Sequence, residues 1–169
     1  MTELQWSDAL SLDMPVMDDT HREFVDLLAV VAAAPDDRLV QAWSALVAHT
    51  DQHFGQEDLW MRQSGFAPGN CHSTQHGVVL SVMREGLALG VVGRLDVIRQ
   101  MAHELAIWFP QHAQSMDAGL ALHLRGIGFD VGTGAVEHPE LLPADQISGC
   151  RSTTCAPESA TATAEAHAV

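Results

Sequence analysis

A chain of 169 residues is one domain's worth, long enough to bury a sizeable core, and an apolar fraction of 47% excludes global disorder. The formal net charge is −14 and all eight basic residues are Arg, a balance that makes nucleic acid and anionic membrane surfaces poor partners. Ten His and no Tyr are the anomalies of the composition.

Residues 1–17 carry Leu4, Trp6, Leu10, Val16 and Met17 without helical period and read as an extended arm lying on the domain. They include no basic stretch leading into an apolar run, so no secretory signal is expected. No apolar run of roughly 18 residues occurs, so no membrane span is expected. Cys71, Cys150 and Cys155 are odd in number and do not resemble a disulfide framework. A reducing, cytoplasmic setting is the expectation.

Four helical segments follow. The first is predicted from Asp18 or Asp19, either of which can cap it, to about Ala34, where Pro35 ends it. Its inward stripe is Phe24, Leu27, Leu28 and Val31. The second opens at Asp36-Asp37 and runs to about Gln63, with Leu39, Trp43, Leu46, Thr50, His53, Glu57 and Trp60 in steps of three and four. Ser64-Gly65 ends it, and Asn70 is a good N-cap for the third, which carries His72, His76, Val79, Leu80, Met83 and Leu87 on one face. After Gly90 and Gly93 the fourth runs from about Arg94 to Leu124, with Ile98, Ala102, Leu105, Phe109, His112, Met116 and Leu120 facing in. The connections are short, so consecutive helices are antiparallel neighbours and the fold class is an all-α, up-down-up-down four-helix bundle. This helical domain is expected to span residues 1–129. Residues 130–169, rich in Ala, Gly, Thr, Ser, Pro and Glu, have no periodic stripe and are expected to be a disordered tail. The Cys150/Cys155 pair within it has no second pair and reads as bystander chemistry.

Where the polar residues fall matters more than their number. His53 and Glu57 occupy consecutive stripe positions, i and i+4, on the second helix; His72 and His76 do the same on the third. His112 lies on the stripe of the fourth, and His21 shares a face with Phe24 and Leu28 on the first. A single inward His is more often a hydrogen-bonded core residue than a ligand. Five of them on four helices, with carboxylates, need something to satisfy them, because burying unpaired polar groups costs a few kcal/mol each. Metal ions do so, and pairs at i and i+4 project from one helix face toward one point. Seven donors, with Asp117 included, exceed one tetrahedral zinc site, and the absence of Cys from the set argues against structural zinc and iron–sulfur sites. Asp117 fits the wheel badly: five residues from His112 amount to about 140° at 100° per residue. His49, His103, His123, His138 and His167 read as solvated or structural.

At these residues the sequence resembles the hemerythrin family, in particular its bacterial single-domain members. The resemblance spans roughly residues 4–125 and rests on MDDTHREF around His21, HFGQE from His53 to Glu57, HSTQH from His72 to His76 and WFPQHAQSMD ending at Asp117. Each stretch is weak alone; all four in order, one per helix, form a specific signature. The resemblance implies two non-haem iron ions with an oxo or hydroxo bridge. His72, His76 and His112 would hold one, His21 and His53 the other, and Glu57 and Asp117 would bridge them. Dioxygen would bind reversibly at the iron with two His, in a pocket formed by Phe24, Phe54, Trp108, Phe109 and Ala113. The implied role is carriage, storage or delivery of dioxygen, with no catalysis, and an oxygen-consuming enzyme is a conceivable recipient.

Ala113 is smaller than the family's usual residue, His49 stands where an aromatic is common, and Pro110 falls inside the fourth helix, where a kink is expected to re-aim His112 relative to Asp117. Two rivals stand beside this reading. A sensor of oxygen, nitric oxide or iron would need a signalling partner, with the tail as its binding segment. A ferritin-like diiron redox enzyme would use Glu-x-x-His pairs, and none occurs here.

Overall fold

The computed structural model describes residues 4–149. The helices are α1 (Pro15–Ala33), α2 (Asp36–Gln63), α3 (Cys71–Val91), α4 (Leu95–His112) and α5 (Ala118–Gly126); a single π turn, Ala113–Asp117, joins the last two into one continuous rod. Helix α1 packs on α2, α2 on α3, α3 on α4, and α4 back on α1, closing the predicted antiparallel bundle.

The stripes read from the sequence are the buried faces. On α2, Leu39, Trp43, Leu46, Thr50, His53, Glu57 and Trp60 are all buried, and the stripe from Ile98 to Leu120 is buried throughout. The apolar residues form two clusters. One contains Phe24, Leu28, Trp43, Leu46, Phe54, Met83, Ile98 and Phe109; the other contains Met17, Trp60, Met61, Phe66, Leu120 and Leu124. His21 lies between Met17 and Phe24, and the His112–Asp117 stretch between Phe109 and Leu120, so a polar layer crosses the bundle between two apolar ones. In the first cluster α3 and α4 approach closely. A Cβ at Gly86 would collide with Met101, and one at Gly90 with Ile98.

Three expectations need correction. Helix α1 starts one turn earlier than predicted, with Pro15 at its first turn, where a missing N–H costs nothing. Asp18 is therefore not the N-cap residue. It is buried in the first turn and reaches back to accept hydrogen bonds from the Leu12 N–H and the Ser11 hydroxyl, both at 2.7 Å. It thus ties the arm, with its buried Leu10, Leu12 and Met14, to the bundle. Asp18→Ala is expected to lower stability by about 1–3 kcal/mol, since it strands the buried Leu12 amide; urea unfolding measures it, and an unchanged midpoint would dismiss the tie.

The second correction concerns residues 130–149, which were expected to be disordered. Val131, Val136, Leu142 and Ile147 pack against the second cluster. The Ala67 and Cys71 N–H groups donate to the Ile147 and Ser148 carbonyls at 2.9 and 3.0 Å, and the Ile147 N–H donates to Gly65. Four spaced anchors and loop-to-loop backbone pairing hold this segment, and neither leaves a periodic signature. Cys150, Cys155 and His167 lie outside the described residues.

The third correction is the device that sets Asp117. Helix α4 stays α-helical through Pro110 to His112, and the change of register comes from the π turn after it, closed by the Ala118 N–H donating to the Ala113 carbonyl.

Candidate metal centre

Five elements deliver donors to the polar layer. α1 gives His21, α2 gives His53 and Glu57, α3 gives His72 and His76, α4 gives His112, and the π turn gives Asp117. All seven are at most 5% exposed. Asn70 caps α3 as predicted, its side-chain oxygen accepting from the His72 and Ser73 N–H groups at 2.9 and 3.0 Å, which fixes the turn carrying His72. An α-helix would leave His112 and Asp117 far apart around its axis. In the π turn, bonding from i to i+5 lets the fifth residue return above the first, and His112 Nε2 lies 3.1 Å from Asp117 Oδ1.

The donor atoms fall into two groups, Glu57 with His72, His76, His112 and Asp117, and His21 with His53 and Glu57, each within 4.8 Å of one another. Both carboxylates divide their oxygens between the groups. Glu57 Oε2 is 3.6 Å from His72 Nε2 and 3.4 Å from His76 Nε2, while Oε1 is 3.1 Å from His53 Nε2 and 3.9 Å from His21 Nε2. Asp117 Oδ1 is 2.9 Å from His72 Nε2, and Oδ2 is 3.2 Å from His21 Nε2. The layer therefore has a three-imidazole side and a two-imidazole side joined by two carboxylates.

His53 Nε2 is hydrogen-bonded to Glu57 Oε1 at 3.1 Å, but many of the other atoms crowd together without being aligned for hydrogen bonding. Both nitrogens of His21 and His72, Glu57 Oε2 and both oxygens of Asp117 are buried with no well-aligned partner. Such groups cost about 1–3 kcal/mol each when left so, and metal ions satisfy imidazole nitrogen and carboxylate oxygen together. The electrostatics point the same way. Burial presses His21 and His76 toward neutrality, yet the adjacent carboxylates of Asp117 and Glu57 raise His21 to about 10, and those of Asp58 and Glu57 raise His76 to about 9. Burial pushes Glu57 and Asp117 up, but the surrounding imidazoles win and hold both well below the ordinary carboxylate range. The layer demands positive charge beside its carboxylates. Bound cations would supply it in place of protons. The residues present fit a pair of metal ions.

Two supporting residues escaped the sequence reading. Asp58 Oδ1 is 2.9 Å from His76 Nδ1, and Gln75 Oε1 is 2.7 Å from His112 Nδ1. Each accepts from the outer nitrogen, which keeps the Nε2 lone pair directed inward. The detectable signal was a polar residue directly beside a ligand position, Asp58 after Glu57 and Gln75 before His76.

Of the residues expected to form a pocket, Phe54, Trp108 and Phe109 lie against imidazoles. Phe54 stacks on His76 with ring centroids 4.0 Å apart, and Trp108 stacks on His112 at 4.4 Å. Phe109 meets His21 edge-on at 5.2 Å and stacks on Phe24, while Ala113 is fully buried. His103 and His138 are exposed; His123 hydrogen-bonds the Ser64 carbonyl at 2.7 Å. His49 is half-buried between Thr20 and Glu23.

Among the described residues no helix is long and apolar enough to cross a membrane. The family model for the hemerythrin HHE cation binding domain matches residues 13–122, which takes in every helix donor and the π turn. The chain is 37% identical over 130 residues to a bacteriohemerythrin of Ralstonia nicotianae, covering 77% of this chain and 95% of that protein. It is 24% identical over 123 residues to bacteriohemerythrins of Pseudomonas paraeruginosa and Pseudomonas aeruginosa, covering 70% of this chain and 80% of each. No solved structure matches it significantly. A buried layer of five imidazoles and two carboxylates on a four-helix bundle, together with these matches, makes the chain a metal-binding member of the hemerythrin family.

Proposed function

We propose that this protein binds dioxygen reversibly at a non-haem diiron centre and acts as an oxygen carrier or store, not as an enzyme. The observation that carries the reading is the division of both Glu57 and Asp117 between a three-imidazole and a two-imidazole group. Imidazole with carboxylate and no thiolate suits iron. In this reading His72, His76 and His112 would hold one ion, His21 and His53 would hold the other, and Glu57 and Asp117 would be shared between them. The side with two imidazoles has fewer protein donors, which would leave room for an external ligand. When bound, the iron pair supplies the two electrons that dioxygen takes up on binding and returns on release.

The chain's own residues favour reversible binding by sheathing part of the layer in apolar side chains. Phe24, Phe54, Phe109 and Ala113 pack around it with at most 3% exposure, which admits a small apolar molecule and discourages water. Asp58 and Gln75 hold His76 and His112 in one tautomer. Asp58→Ala is expected to weaken metal binding about 10- to 100-fold while the helical circular dichroism stays unchanged; competition against a chelator of known affinity measures it, and an unaltered affinity would remove Asp58 from the site.

The test of function is to count iron in the purified protein and record absorption after anaerobic reduction and again in air. Two irons per chain, colourless when reduced and showing a visible charge-transfer band in air that vanishes when oxygen is removed, is the expected result. Prompt irreversible oxidation would favour the sensor or redox-enzyme reading. Zinc, or no metal, would overturn the proposal.

A further inference from the structure

The seven donors are buried, yet ions must reach them. A pocket of about 250 Å³ opens between α1 and α2, lined by Thr20, Glu23, His49 and Gln52 toward its mouth and by His53 and Glu57 at its floor. Of the floor residues, His53 has a buried ring nitrogen without a partner, Nδ1, and Glu57 Oε1 lies 3.1 Å from the other, Nε2. A larger, mostly apolar pocket lined by Leu28, Ala32, Ala102 and Ala106 touches none of the seven.

The pocket mouth presents a defined pair of donors. His49 Nε2 is 3.2 Å from the Thr20 carbonyl oxygen, which can only accept, so Nε2 carries a proton and the neutral ring keeps its lone pair on Nδ1. That Nδ1 faces Glu23 Oε2 at 3.6 Å. Glu23 is exposed, with 70% of its side chain in solvent, and His49 is mostly covered at 13%, so the pair spans the step from water to interior. Further in, the His49 ring centroid is 6.1 Å from that of His53, one helical turn along α2. Imidazole nitrogen and carboxylate oxygen recur at mouth and floor, so an incoming cation exchanges waters for ligands of the same kind at each stage.

We propose that this pocket is the entry port for divalent cations, with Glu23 and His49 as a relay that delivers them to His53 and Glu57. The proposal rests on the metal-centre reading but not on dioxygen binding. It is tested on the metal-free full chain by stopped-flow uptake of Co(II), followed through its visible absorption, at low and at physiological salt. Glu23→Gln and His49→Phe are each expected to slow uptake several-fold at low salt and Glu23→Lys further, with the final cobalt content unchanged. The Glu23 effect is expected to shrink at higher salt, as screening requires. Glu104→Gln, an exposed carboxylate on α4 away from the pocket, removes the same charge and is expected to load at the wild-type rate. Wild-type rates in all three pocket variants, or equal slowing by Glu104→Gln, would overturn the port. A lowered final content in Glu23→Gln would overturn the relay, because Glu23 would then be holding metal permanently. A wild-type chain that takes up no cobalt would instead bring down the metal-centre reading, and the port with it.

Discussion

Glu57→Ala is expected to empty the centre. Glu57 is the one residue common to both donor groups, and its two oxygens reach four imidazoles, those of His21, His53, His72 and His76. Removing a support outside the donors costs about 10- to 100-fold in metal affinity, so removing a carboxylate common to both donor groups should cost more than about 100-fold. Bound metal stabilises the fold by mass action, about 4 kcal/mol at a free concentration a thousand times the dissociation constant. Metal should therefore raise the melting temperature of the wild type and leave that of Glu57→Ala unmoved. Glu57→Gln keeps the volume and one oxygen but loses the charge, and it should fall between the two. Elemental analysis after loading, paired with melting curves with and without metal, measures both effects. A Glu57→Ala protein that still holds two ions per chain would show that the two groups are not joined through this residue.

Most of the site was legible because it is written in the helical period. His53 with Glu57 and His72 with His76 are i and i+4 pairs on stripes that also carry Leu46, Trp60 and Leu80, so amphipathicity alone turned them inward. His21 followed from sharing a face with Phe24. Asp117 did not follow from any periodicity. Family resemblance alone put it in the set, because a π turn is a feature of the backbone and leaves the hydrophobic pattern on either side intact. Asp58 and Gln75 were missed for a different reason. Each supports an imidazole on the next helix, Asp58 on α2 serving His76 on α3 and Gln75 on α3 serving His112 on α4, and single-helix reasoning cannot see a partner across an interface. The segment 130–149 was misread because its order depends on anchors such as Val131 and Ile147 meeting residues far away in sequence.

The π turn makes a second strong prediction, and its sign differs between adding and removing a residue. One extra residue in a helix is what a π turn absorbs, and Ser115 within it is exposed. Deleting Ser115 should let the turn relax to α-helix, with His112 and the Asp now at i and i+4, still on one face, and with Leu120, Ala121 and Leu124 keeping their buried orientation. That variant should retain metal and melt close to the wild type. Inserting one Ala after Ser115 should do the opposite. At about 100° per residue it swings Asp117 away from His112 and rotates the three buried residues of α5 out of the second cluster. Metal should be lost, together with several kcal/mol of stability, since each buried Leu turned outward costs about 1.5–3 kcal/mol. Metal content and urea unfolding of the two variants, run side by side, measure the contrast. Loss of metal in the deletion variant as well would mean that the widened turn itself holds Asp117 where the imidazoles can share it, and that its function goes beyond taking up one residue.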